Sequence, residues 1–109
     1  MPTVYTVLGQ SNPSAAADTT LYTVPAANSA VVSTISVCNF GTASTTFRVA
    51  IRPSGNSLAN LQYVAYETTV SSYDSVYLTI GATMQANSII TVRAGTANVA
   101  FSAFGSEIS

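Results

Sequence analysis

Histidine, lysine and tryptophan are absent from this 109-residue chain, and cysteine occurs once. Each gap excludes something. Without histidine a Ser-His-Asp triad is impossible, and the commonest general base and zinc ligand are lost together. A lone cysteine, Cys38, permits no intrachain disulfide and, with no histidine, no structural zinc site. Charge is scarce as well. Charged residues make up 6% of the chain, against about a quarter in an ordinary domain. A net charge of −1 gives neither nucleic acid nor an anionic membrane a reason to bind. No apolar run approaches the roughly 18 residues of a membrane span. The opening MPTVYTVLGQ has neither the basic start nor the continuous apolar stretch of a secretory signal. The protein is therefore expected to be made in a cytoplasm and not to leave it by a signal peptide.

What is present is apolar and β-forming. The hydrophobic share of 48% argues against disorder, and serine, threonine and valine, which suit turns and strands better than helix interiors, fill the chain. Apolar residues recur with period two. In FRVAIR, Phe47, Val49 and Ile51 face one way, with Arg48, Ala50 and Arg52 facing the other. SVYLTI and NVAFSAF alternate in the same manner. Strands are predicted over 3–8, 20–24, 30–38, 45–52, 61–67, 73–80, 88–94 and 96–104, separated by turn-forming stretches such as VPAANS, NFGTAS, PSGNS and AGTAN. This spacing predicts one all-β domain over residues 1–109, an antiparallel two-sheet β-sandwich of jelly-roll or immunoglobulin-like type, with 1–19 as an N-terminal arm free to pair with its own sheet or a neighbour's. The expected core is Ile35, Val37, Phe47, Val49, Ile51, Val76, Leu78, Ile80, Ile90, Val92, Val99 and Phe101.

Few residues suggest chemistry. The acids Asp18, Glu67, Asp74 and Glu107 stand singly near turns and strand ends, which argues against a hydrolytic pair, and a solvated turn or a bond to a loop amide is the better reading of Asp18 and Asp74. Cys38, near the end of an apolar strand, reads as a buried, inert thiol. No catalytic, cofactor-binding or metal-binding residue is assigned, and no cofactor is expected. Six tyrosines, Tyr5, Tyr22, Tyr63, Tyr66, Tyr73 and Tyr77, offer either a sugar-stacking surface or subunit contacts, the latter favoured because a ring with a polar tip suits an interface. Arg48 and Arg52 lie four apart in one strand, on one face and ~13 Å apart. In a chain with three cations they read either as solvated charges or as anchors for an acidic or carbonyl-rich surface on another chain. The candidate interface residues are Arg48, Arg52, Tyr5, Tyr22, Tyr63 and Tyr66.

Three stretches, TTLYTVPAANSAVVSTISVCNFG, FRVAIRPSGNSLANLQYVAYE and ITVRAGTANVAFSAFGSEI, resemble small virion structural proteins encoded by tailed bacteriophages, notably phages of cyanobacteria and other aquatic bacteria. The resemblance implies a non-enzymatic building block of a particle, made in the host bacterial cytoplasm and located in the virion. The leading expectation is a capsid-surface decoration or cement protein, a homotrimer whose partners are its own copies and other virion proteins such as the major capsid protein. The alternatives are a neck, tail, baseplate or fibre component with receptor or carbohydrate contact, and a carbohydrate-binding module outside any virus.

Overall fold

The computed structural model describes residues 3–109, with side chains from Tyr5 onward. Eight strands form: β1 (Thr3–Ser11), β2 (Thr19–Thr23), β3 (Ser29–Asn39), β4 (Thr45–Arg52), β5 (Tyr63–Val70), β6 (Ser75–Met84), β7 (Ile89–Ala94) and β8 (Val99–Ile108). They make two four-stranded sheets, a first sheet in the order β1-β8-β3-β6 and a second in the order β2-β7-β4-β5. Strand β1 pairs antiparallel with β8, β2 with β7, β3 with β6 and β4 with β5. This nesting is a long two-stranded ribbon folded over on itself, the jelly-roll form of the sandwich. The immunoglobulin-like order is excluded, because there the first two strands share a sheet and here they lie in opposite ones. The N-terminal strand uses an edge of its own chain's first sheet, beside β8.

The inward faces follow the period-two reading. Eight of the twelve expected core residues are fully buried, while Ile51, Val76, Leu78 and Ile80 pack against the core half-exposed. Three of those four sit on β6, an edge strand with a neighbour on one side alone. Across the sandwich, Phe47 of β4 meets Phe101 of β8 edge to face, ring centroids 6.1 Å apart. Leu21, Tyr22, Val24, Ala30, Val32, Val70, Met84, Ala94 and Ala103 complete the core.

Bulges explain most departures from the expected boundaries. Between Val32 and Thr34 the register of β3 slips against both neighbours, so Val32 and Ile35, three apart, are both buried. An extra residue in one strand resets the alternation. Strand β6 was expected to stop at Ile80. It runs on to Met84 because Gly81 takes a left-handed conformation (φ 56°) at the slip, which glycine does without strain. Strand β8 likewise continues past Phe104. At Gly105 the Val31 backbone of the neighbouring strand comes so close that a β-carbon would collide with its carbonyl, so this glycine allows the close approach rather than ending the strand.

Asn39 is the principal buried polar anchor. Its Nδ2 donates to the carbonyls of Ala43 (2.9 Å) and Val70 (3.2 Å), and its Oδ1 accepts from the Gly41 amide (2.9 Å). One side chain thus satisfies three backbone groups at the end of the sandwich and ties the β3–β4 turn to β5.

Candidate functional site

The two outward faces differ sharply in chemistry. All three arginines stand on the second sheet, two in β4 and one in β7. Arg48 and Arg93 are directly opposite in register, a like-charge pairing that destabilises a sheet unless it is compensated. Compensation comes from both sides. Glu67 of β5 accepts from Arg48 Nε at 3.1 Å, and Asp18 lies 3.7 Å from Arg93. Arg52 donates to the carbonyls of Asn56 (2.6 Å) and Gly55 (3.4 Å) in the loop that follows its own strand. The acidic and carbonyl partners expected on another chain are thus supplied by this one. The shared outward face of Arg48 and Arg52 is as expected.

Strand β5 shapes the surroundings of Arg48. Its pairing with β4 slips twice, between Phe47 and Val49 and between Val49 and Ala50. The two extra residues fall at Val64 and within Tyr66–Glu67. A regular strand sends residues three apart to opposite faces. Here the bulge at Val64 brings Tyr63 and Tyr66 together, ring centroids 4.9 Å apart and planes at 73°. The Arg48 guanidinium sits 4.4 Å from the Tyr66 ring centroid, a cation–π contact. Glu67 adopts φ 49°, a left-handed conformation that costs a non-glycine residue on the order of 1–2 kcal/mol. Thr46 Oγ1 also donates to Glu67 Oε2, at 3.3 Å. With Asn60 from the preceding 3₁₀ turn, the tyrosine pair lines an open recess of about 370 Å³.

Arg48 holds the Glu67 carboxyl below its ordinary pKa of 4.5, chiefly through their hydrogen bond, and Glu67 raises the Arg48 value in return. A depressed carboxyl stays ionised to lower pH. The pair is therefore intact above pH 4.5 and opens as pH falls through the lower folded value. In a carboxyl-carbon NMR titration the Glu67 midpoint should lie below 4.5, and Arg48→Gln should move it upward. A midpoint indifferent to that substitution would mean that the pair does not persist in solution.

The outward face of the first sheet carries no charge among the described residues. Its strands contain a single carboxylate, Glu107, which turns inward to accept a hydrogen bond from Tyr22 Oη at 2.5 Å. Rows of side chains cross all four strands: Val7, Phe104, Thr34 and Thr79 in one, Gln10, Ser102, Ser36 and Tyr77 in another. Tyr5 and Tyr77 are largely exposed, at 83% and 68%, and Val7 and Phe104 are exposed beside them.

The six expected interface residues therefore divide. Arg48, Tyr63 and Tyr66 converge on the second sheet, Arg52 stands near them, and Tyr5 lies on the first sheet. Tyr22 is a correction. It is 7% exposed, buried where the bulge between Thr20 and Tyr22 turns it inward beside Leu21. Burial, then the hydrogen bond to and the charge of Glu107, push its phenol well above the ordinary range. Cys38 is the second correction. It is exposed, because Val37 takes the inward position and period two sends Cys38 out, onto the uncharged face beside Ala100 and Ser75. Asp74 follows expectation, its Oδ1 accepting from the Ser75 amide at 2.8 Å. No cluster of three or more histidine, cysteine or acidic residues suited to a metal occurs among the described residues. Compared with protein-family models and with curated protein sequences, the chain matches none.

Proposed function

We propose that this chain is a non-enzymatic structural protein of a tailed-phage particle, a decoration or cement protein that associates with its own copies as a trimer and binds the outside of the assembled head. The observation that carries the reading is the uncharged outward face of the first sheet. Covering such a face strips water from no ion, and so avoids the desolvation penalty that makes charged surfaces costly to bury. Its exposed rings, Tyr5, Tyr77 and Phe104, belong to the residue types enriched in interface cores. Four strands of about nine residues cover on the order of 600 Å² in projection, close to the ~800 Å² a side of a standard interface. The resemblance of three stretches to phage virion proteins points in the same direction.

The mechanism is mass action. A protein that binds the assembled lattice and not its free subunits stabilises the lattice by its binding free energy. Quantitative mass spectrometry of purified particles tests the proposal. Hundreds of copies per particle would support the head-surface role. One or two rings' worth would move the protein to the neck, tail or baseplate. Absence from the particle would refute a virion role.

A further inference from the structure

The first sheet's outward face leaves the aromatic recess on the second sheet without a use. We propose that the corner between Tyr63 and Tyr66 is a binding site for a neutral sugar, a pyranose that presents an apolar C–H face to the Tyr66 ring. This does not rest on the particle reading, since the recess lies on the opposite sheet from the face invoked there.

Three observations carry the proposal. The first is construction. The bulge at Val64 puts Tyr63 and Tyr66 on one face, and the second bulge, with its left-handed Glu67, sets Glu67 against Arg48 beside them. Bulges re-aim side chains, and backbone strain held by a non-glycine residue concentrates at functional sites. A bulge also blunts an edge strand against unwanted pairing, but edge protection does not require two rings set nearly perpendicular as walls of a recess.

The second is charge. Arg48 and Glu67 neutralise one another within the site, so neither an anion nor a cation is selected. The ligand the corner suits is neutral, apolar on one side and rich in hydroxyls on the other. The third is the supply of polar atoms. Both hydrogen bonds to Glu67 fall on Oε2, and Oε1 accepts none among the described residues. With the Asn60 side chain at the rim, it is placed to meet sugar hydroxyls while Arg48 steadies the Tyr66 ring. The volume of about 370 Å³ lies within the range of small-ligand sites. Single-site affinity for so open a recess falls in the millimolar range, and display in several copies would raise it by avidity.

The test is a two-dimensional amide NMR titration with methyl β-glucoside, methyl β-galactoside and N-acetylglucosamine as probes. At least one should give saturable shifts confined to residues 60–68 and the Arg48 side chain. Tyr66→Ala should weaken that response about tenfold or more, and Tyr66→Phe should keep it. Tyr66 is exposed, so both variants should fold, as circular dichroism would verify. The proposal is overturned by non-saturating shifts with all three sugars, or by shifts that Tyr66→Ala leaves unchanged. It is overturned equally if the corner proves to be a self-contact, seen as concentration-dependent shifts that Leu61→Ser abolishes without any sugar response. Leu61 follows Asn60 in the chain and is 89% exposed, an apolar side chain suited to a self-contact.

Discussion

Phe47→Ala should destabilise the fold by about 3–5 kcal/mol, the usual loss for a buried aromatic ring. Phe47 is wholly buried in β4 and meets Phe101 across the sandwich, so its removal empties the contact that joins the two sheets. Against a total stability of roughly 5–15 kcal/mol for a small domain, the variant would retain little cooperative unfolding. A denaturant melt measures this. A loss under about 1 kcal/mol would show that the inward face of β4 is wrongly placed, since a one-residue slip exchanges the faces of a strand.

Thr34→Glu should leave the fold intact and abolish assembly. Thr34 sits mid-sheet on the uncharged face, in register with Phe104 on one side and Thr79 on the other. A carboxylate there has no cation on its own face to pair with. Burying it unpaired against a partner costs about 3–5 kcal/mol, which is ~2–4 orders of magnitude in affinity. Thr69→Glu, an exposed change on the second sheet, is the control and should assemble normally. Sedimentation gives the oligomeric state, and co-sedimentation with purified particles gives binding. Equal assembly of the two variants would remove the first sheet's face as the interface.

Period-two alternation between turn-forming stretches was enough to read the fold class, the eight strands and the inward residues of β4, β7 and the first half of β8. It also placed Arg48 and Arg52 on one outward face. What could not be read depends on bulges, which leave little mark in a sequence. Val32 with Ile35, and Tyr63 with Tyr66, break the period-two rule because an inserted residue resets it. Glycine misled in a specific way. Gly81 and Gly105 look like strand ends, yet one absorbs a bulge and the other admits a neighbouring backbone. The intrachain partners of the arginines were hidden for another reason. Glu67 reaches Arg48 only because of the bulge in β5, and the carbonyls that hold Arg52 belong to a loop whose path local pattern does not set. The outward chemistry of the first sheet was present in the sequence as a lack of charge, but it becomes a face only once β1, β8, β3 and β6 are known to be neighbours.

The lone cysteine provides the most direct measurement. Cys38 is exposed on the uncharged face of the first sheet, and no other thiol competes for reagent. Its rate of reaction with a maleimide can be compared between the isolated chain and the assembled, particle-bound protein, with a Thr69→Cys, Cys38→Ser variant reporting on the second sheet. If the first sheet is the covered face, Cys38 should react at least about tenfold more slowly in the assembly, because burial denies the thiolate access to reagent, while Cys introduced on the second sheet keeps its rate. Equal labelling of Cys38 in the two states, or protection of the second sheet instead, would contradict the assignment of the interface.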